Sequence, residues 1–99
     1  MLSTIQNNLV TQTDPGTLMG KLLRQHWQPV ALSAELAPDR PVCGAVVMGT
    51  ALVVFRDNKG AVRVMDRHCP HRGADLSYAR WENGALRCPF HGWLFGANG

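Results

Sequence analysis

Apolar residues recur at helical spacing in the segment TDPGTLMGKLLRQHW, which runs from residue 13 to residue 27. Asp14 is a suitable N-cap, Pro15 suits the first helical position, and Pro29 is expected to end the helix. The segment therefore predicts a short N-terminal helix around Leu18 to Trp27, followed by an extended and turn-rich connector. The face of that helix has apolar or aromatic residues three or four positions apart: Leu18, Met19, Leu22, Leu23, His26 and Trp27.

Three short runs of apolar and β-branched residues follow the connector: VCGAVVMG, ALVVFRD and AVRVMD. Gly49 and Thr50 separate the first two runs, and DNKG links the second to the third as a hairpin. Another hairpin turn is predicted at Asn83-Gly84, between LSYARW and ALRC. These signals predict antiparallel β structure, in which Cys43 is interpreted as a small buried core residue.

The composition limits the class of protein. With 99 residues, 45% of them apolar and 17% charged, the chain can form one small domain with a modest core. Three cysteines make an odd count, and the N terminus has no signal-peptide pattern, so a secreted disulfide framework is not expected. No apolar run approaches the ~18 residues of a membrane span. We therefore expect a cytoplasmic protein with free thiols and no membrane partner.

The net charge of +3 is mild. A solvated basic surface is favoured over a docking patch for an acidic partner. A nucleic-acid partner is not expected, because no binding motif or stripe of interleaved aromatic and basic residues accompanies the charge.

Two short boxes concentrate the metal-ligating residues: Cys69-Pro70-His71 and Cys88-Pro89-Phe90-His91, with 16 residues between them. A structural zinc finger normally pairs its cysteines in one box and its histidines in the other. Here each box contains both residue types. Mixed boxes suit two irons bridged by sulfide, with thiolates on one iron and imidazoles on the other. A zinc-binding structural module is the less favoured alternative.

The segment CPHRGADLS, with the later RCPFHGW, resembles the Rieske [2Fe-2S] motif. The opening segment DPGTLMGKLLRQHWQPVALSAEL resembles the start of the alpha subunit of Rieske non-haem iron aromatic-ring oxygenases, most closely the phthalate and phenoxybenzoate dioxygenase branch. The resemblance implies a mainly β fold: an antiparallel β sandwich with a small cluster-binding subdomain, preceded by a short helix. Residues 1–40 are expected to form the helix and connector, and residues 41–99 a Rieske domain that is truncated at its C-terminal end.

The same resemblance implies that Cys69 and Cys88 hold an inner iron, while His71 and His91 hold an outer iron nearer the surface. His68, although adjacent to the first box, is interpreted as a loop residue. Four further residues are expected to surround the cluster: Arg72, Gly73, Gly92 and Trp93. The glycines are expected to let backbone N–H groups approach the sulfides, and Trp93 to act as a hydrophobic lid.

The resemblance also implies a function, that of an oxidoreductase that takes electrons from a reductase or ferredoxin. The electrons would pass to a mononuclear Fe(II) site that lies outside this sequence, so the fragment alone is expected to lack oxygenase activity. In the bacterial parent, the subunits are expected to form a trimeric ring. A stand-alone Rieske ferredoxin remains the alternative, although the helical segment before the first strand favours the oxygenase. Neither the substrate nor the reductase is indicated.

Overall fold

The computed structural model describes all 99 residues and contains two α-helices and six short strands. Contacts divide the chain into two units, residues 1–30 with 46–50 and residues 31–45 with 51–99. None of the helices has the length and apolar character required to cross a bilayer. The elements are α1 (Thr4–Thr11), α2 (Leu18–Leu23), β1 (Val42–Val47), β2 (Thr50–Arg56), β3 (Val62–Asp66), β4 (Arg80–Glu82), β5 (Ala85–Arg87) and β6 (Leu94–Phe95).

Helix α1 was not predicted from the sequence. It begins with a capping box, in which the Ser3 hydroxyl accepts from the Gln6 N–H and the Gln6 side chain accepts from the Ser3 N–H. Ser-Thr-Ile-Gln is a local signal for such a start, so the sequence contained the information. The helix has no buried residue, which explains why its apolar pattern is weak.

Helix α2 is shorter than predicted and has a different cap. Thr17, not Asp14, is the N-cap, and its hydroxyl accepts from the Gly20 N–H at 3.1 Å. The Asp14 carbonyl accepts from the Thr17 hydroxyl at 2.7 Å, which fixes the cap one turn later than expected. The helix ends at Leu23, well before Pro29, and Trp27 lies outside it and is fully exposed. The predicted apolar face therefore covers one and a half turns rather than three.

The first sheet has the order β1-β2-β3, and the predicted DNKG hairpin between β2 and β3 is confirmed. Met48 and Gly49, both with positive φ, form the turn between β1 and β2. Strands β2 and β3 pair antiparallel from Leu52 opposite Asp66 to Arg56 opposite Val62. The DNKG signal was thus sufficient for the β2–β3 hairpin, whereas the turn between β1 and β2 lies one residue earlier than the predicted break at Gly49 and Thr50.

The second sheet has the order β4-β5-β6, and the second ligand box lies in the loop between β5 and β6, whereas the first box follows β3. Asn83 (φ 52°) and Gly84 (φ 79°) form the predicted tight turn between β4 and β5. Leu86 on β5 pairs with Trp81 on β4 and with Phe95 on β6. This small sheet fixes the position of Cys88, which directly follows β5.

The core of the second unit joins the two sheets through buried side chains. The ring of Trp81 stacks on that of Phe55 at a centroid distance of 5.2 Å, and its Nε1–H donates to the Asn58 side chain at 2.7 Å. The two box cysteines are members of this core, which consists of Val42, Val53, Phe55, Cys69, Leu76, Ala79, Leu86 and Cys88. The ligand boxes therefore begin inside the folded core.

Cys43 is not the buried core residue that we expected. Its neighbour Val42 points into the core, and Cys43 lies on the alternate face of β1, where it is half-buried. Partial burial and the nearby Glu35 carboxylate raise the pKa of the Cys43 thiol. The prediction of a mainly β fold with a short N-terminal helix is confirmed, while the boundary at residue 40 stays a prediction.

Candidate metal centre

The two boxes fold into loops with the same backbone hydrogen bonds. In the first loop (residues 69–74), the Cys69 N–H donates to the carbonyl of Ala74 at 2.8 Å. In the second loop (residues 88–93), the Cys88 N–H donates to the carbonyl of Trp93 at 2.8 Å. Each cysteine thus bonds to the residue five positions later. The shared pattern makes the loops two copies of one local structure, each starting with a cysteine.

A glycine closes each loop by the same interaction. The Gly73 N–H donates to the Cys69 carbonyl at 2.7 Å, and the Gly92 N–H donates to the Cys88 carbonyl at 3.1 Å. Both glycines have positive φ, 75° and 79°, a conformation that other residues adopt only with strain. The two glycine N–H groups are thus engaged within the loops, where the glycines turn the backbone. That the glycines let other backbone N–H groups approach bridging sulfides stays a prediction.

Each loop places its cysteine inward and its histidine outward. Cys69 and Cys88 are each 3% exposed, whereas His71 and His91 are exposed. The imidazoles of the two histidines meet edge to face, with ring centroids 4.7 Å apart. Two residues from separate boxes are thus brought together at the surface, whereas the two thiols belong to the core.

Aromatic side chains flank both imidazoles, and both come from the second loop. Trp93 stacks on His71 with centroids 4.5 Å apart and planes 13° from parallel. The ring of Phe90 lies against that of the adjacent His91, with centroids 3.9 Å apart. Trp93 is 46% exposed. It lies beside the imidazole of His71, and its expected role as a hydrophobic lid stays a prediction.

The first loop is anchored by Arg67, a residue that the sequence analysis did not single out. The Arg67 guanidinium donates to the carbonyls of Ala45 at 2.7 Å and Leu52 at 3.2 Å. Its own carbonyl accepts from the Leu76 N–H at 2.8 Å. These bonds tie the start of the first loop to β1, β2 and the segment that follows the loop. No short motif marks this role, because its partners are backbone carbonyls distant in sequence.

The end of the first loop is stabilised by Asp75. Its carboxylate accepts from the Ser77 hydroxyl at 2.6 Å and from the Ser77 N–H at 2.8 Å. The Ser77 hydroxyl holds the pKa of Asp75 below its ordinary value, despite partial burial that acts in the opposite direction. His68 pairs with Asp75 through an isolated β-bridge and is exposed. His68 thus lies in the segment that precedes the first loop, and its ring does not take part in the contacts of His71 and His91.

Arg87 stabilises the second loop in a comparable way, and the sequence analysis did not single out this residue either. Its guanidinium forms an ion pair with Glu82 and donates to the carbonyl of Gly92 at 3.2 Å. Arg87 precedes Cys88, so this support connects β4 and β5 to the far side of the loop. Arg72, by contrast, points into solvent from the first loop.

The donor set fits a [2Fe-2S] cluster with mixed ligands. Two buried thiols and two surface imidazoles supply two sulfur and two nitrogen donors, the set that such a cluster takes. No group of three or more His, Cys, Asp or Glu side chains lies close enough together to hold a single metal ion. By burial the four candidate ligands divide into two thiols in the core and two imidazoles at the surface.

Comparisons with known proteins agree with this arrangement. The protein-family model described as the Rieske [2Fe-2S] domain matches residues 26–99. The 5,5'-dehydrodivanillate O-demethylase oxygenase subunit of a Sphingobium species is 45% identical over 101 residues, covering 100% of this chain and 23% of that protein. The phthalate 4,5-dioxygenase oxygenase subunit of Pseudomonas putida is 44% identical over 100 residues, with the same coverage of each.

Among solved structures, dicamba monooxygenase bound to dicamba superimposes with a TM-score of 0.70 and 36% identity, covering 76% of this chain and 23% of that one. The chain spans about a quarter of the length of these relatives. Similarity to oxygenase subunits thus extends along the whole chain but concerns only a part of each relative.

Proposed function

The chain belongs to the Rieske [2Fe-2S] domain family, and we propose that it is the electron-transfer part of an aromatic-ring-hydroxylating oxygenase. In this function it accepts electrons from a reductase or ferredoxin. It then passes them to a mononuclear iron that is held by other parts of the full-length protein. Family membership supports the electron-transfer role, and the similar oxygenase subunits support its place in an oxygenase.

The observation that carries the proposal is the division of the four donors into a buried pair and an exposed pair. Cys69 and Cys88 are proposed to hold the inner iron, and His71 and His91 the outer iron. Metal binding requires deprotonated thiols and neutral imidazoles, and the core position of the thiols protects them from competing ligands. When bound, a cluster with two histidine ligands takes up and releases one electron at roughly −150 to +300 mV, against about −400 mV for an all-cysteine plant-type cluster.

The exposed imidazoles define where electrons enter and leave. His71 and His91 are the only proposed ligands that reach the surface. A partner that docks on this edge comes closer to the cluster than one that docks anywhere on the opposite, core side. The aromatic rings of Phe90 and Trp93 frame this edge and remove water from part of it.

The remaining parts of the proposal concern the full-length protein. Relatives named as oxygenase subunits imply a separate electron-donating component, either a reductase or a ferredoxin. Dicamba monooxygenase has been solved with non-heme iron, and we propose an equivalent mononuclear Fe(II) in the full-length protein. A trimeric ring of subunits and a bacterial cytoplasmic location complete the proposal. The bacterial sources of the relatives and the three free thiols support that location.

The cluster assignment is tested on the anaerobically purified full-length protein. We expect two irons and two acid-labile sulfides for the domain in addition to any mononuclear iron. The reduced cluster should show the low average g-value of histidine ligation in electron paramagnetic resonance. His68→Ala is the matched control for His71→Ala, and only His71→Ala should lose or alter the cluster signal. Stoichiometric zinc without labile sulfide would overturn the assignment, and a cluster lost with His68→Ala alone would overturn the choice of ligands.

The place of the domain in an oxygenase is tested with residues 1–99 and with the full-length protein, each with a competent reductase. Oxygen uptake and product formation are measured together over a set of aromatic acids and ethers. We expect coupled turnover from the full-length protein only. Coupled turnover by residues 1–99 would show that the oxygenation site has been misplaced. A full-length protein that is reduced but binds no second iron would identify a carrier instead.

A further inference from the structure

The indole of Trp93 lies flat against the imidazole of His71, although the two residues belong to different loops. We propose that Trp93 is a positioning residue that holds the His71 ring in its ligand orientation. The second loop then orients a ligand that is carried by the first. This inference rests on the proposed function, because it takes His71 as a ligand of the cluster.

The shared backbone of the two loops cannot orient both imidazoles in the same way. His71 is the second residue after Cys69, whereas His91 is the third residue after Cys88. Because the backbone hydrogen bonds of the loops match, the two histidines leave the loops from different positions. Each ring therefore requires its own side-chain contacts to reach the common site.

The first loop has no aromatic residue of its own to supply that contact. Its residue five positions after the cysteine is Ala74, which packs against the core. The equivalent residue of the second loop is Trp93. The second loop also provides Phe90, which lies against His91. Both flanking rings thus come from one loop, and Trp93 is the one that reaches across to the other.

The backbone of Trp93 is fixed on both sides, so the fold sets the direction of its Cα–Cβ bond. Its carbonyl accepts from the Cys88 N–H at 2.8 Å. The next residue, Leu94, begins β6 and pairs with Arg87 on β5. A ring attached at such a point offers a stable surface for His71, even though Trp93 itself is 46% exposed.

Stacking restricts rotation of the His71 ring about its bond to Cβ. A ring that is free to rotate leaves its metal more often and gives a chelator access. The interaction energy of an aromatic pair corresponds to a factor of roughly 2 to 12 in the equilibrium between the stacked and the unstacked ring. Removal of the indole should therefore accelerate loss of the cluster by about that factor, provided that dissociation of His71 precedes loss.

The test uses the full-length protein with its cluster and three variants. Trp93→Leu removes the aromatic ring, Trp93→Phe keeps one, and Tyr78→Leu is the control. Tyr78 is 77% exposed and takes part in none of the ring contacts. The measurements are the rate at which a chelator bleaches the visible absorption and the hyperfine couplings of the two histidine nitrogens in pulsed electron paramagnetic resonance.

We expect Trp93→Leu to bleach roughly 2- to 12-fold faster than the wild type and to change the coupling of one histidine nitrogen while the other stays unchanged. Trp93→Phe and Tyr78→Leu should match the wild type within about twofold in rate and in both couplings. Unchanged couplings and rate in Trp93→Leu would refute the proposal, as would an equal effect of Tyr78→Leu.

If Trp93→Leu takes up no cluster, Trp93→Phe decides the question. Normal cluster uptake by Trp93→Phe supports the requirement for a ring stacked on His71. Equal failure of both variants to take up the cluster refutes that requirement, because the phenyl ring of Trp93→Phe would then not suffice. A wild-type protein without iron and labile sulfide would instead contradict the proposed function, so the two failures are distinguishable.

Discussion

Leu86 connects the core of the domain to the buried thiols, and its truncation should release the cluster. Leu86 is completely buried on β5, two residues before Cys88, and pairs with Trp81 and Phe95 on the neighbouring strands. It shares one core with both box cysteines. Leu86→Ala removes buried methyl groups and leaves a cavity in the floor of the site.

Leu86→Ala is expected to lower the free energy of unfolding by about 2–5 kcal/mol, the cost of a buried Leu→Ala change. For a small domain with a stability of about 5–15 kcal/mol, this is a large fraction of the total. The population of the locally opened form should rise by a factor of about 30 to several thousand, since each 1.4 kcal/mol corresponds to tenfold. Cluster loss that proceeds through this opened form should accelerate by the same factor.

The assay is chelator-driven bleaching of the cluster in the full-length protein, at a chelator concentration low enough for reclosing to outpace capture. Leu94→Ala is a matched control, because Leu94 lies in the same sheet but is 54% exposed. Leu94→Ala should lower the free energy of unfolding by less than about 1 kcal/mol, which corresponds to less than about a fivefold increase in the bleaching rate. If Leu86→Ala bleached no faster than Leu94→Ala, the reasoning that links core packing to thiol access would be refuted.

Three further predictions concern the ligands, a carboxylate and a turn. His91→Cys should retain a cluster of lower reduction potential, because an anionic thiolate replaces a neutral imidazole, whereas Cys88→Ala should lose the cluster. Redox titration with metal analysis checks both variants. A raised potential in His91→Cys would contradict the ligand assignment. Since the Ser77 hydroxyl lowers the pKa of Asp75, the carboxylate stabilises the fold above its unfolded pKa of about 3.9, and this contribution is lost as the pH falls through the lower folded pKa. Unfolding measurements should accordingly show wild type more stable than Asp75→Asn near neutral pH, with a difference that shrinks in acid; a constant difference would argue against linkage. Gly84→Ala should destabilise the β4–β5 turn by about 1 kcal/mol, because φ is 79° there, and a neutral result in thermal unfolding would show that the turn adapts.

Local signals in the sequence were sufficient for the DNKG and Asn83-Gly84 hairpins, and they indicated the two candidate ligand boxes. Asn83-Gly84 specifies its turn because few other residues adopt positive φ at both positions. The spacing of cysteine and histidine in the two boxes indicated two mixed pairs without reference to any distant residue. The capping box at Ser3 and Gln6 was an equally local signal, and α1 was missed although the sequence contained it.

Predictions that depended on a buried face were less accurate. The helical pattern continues to Trp27, but α2 stops at Leu23, since apolar spacing alone does not state how far a helix has a surface to pack against. Cys43 lies in an apolar run, yet the alternation of β1 turns its neighbour Val42 inward instead. Both errors arise because burial depends on which elements meet, and that is not encoded within a short window.

The sequence by itself determined the class of the fold, the positions of the tight turns and the identity of the candidate ligands, because each depends on residues that are close along the chain. Only the tertiary structure decided that the thiols lie in the core, that the imidazoles of His71 and His91 meet at the surface, and that Trp93 stacks across the loops. It likewise revealed Arg67 as the anchor of the first loop. These relations join residues distant in sequence, and they arise only when the two sheets pack on a common core and set the separation and orientation of the loops.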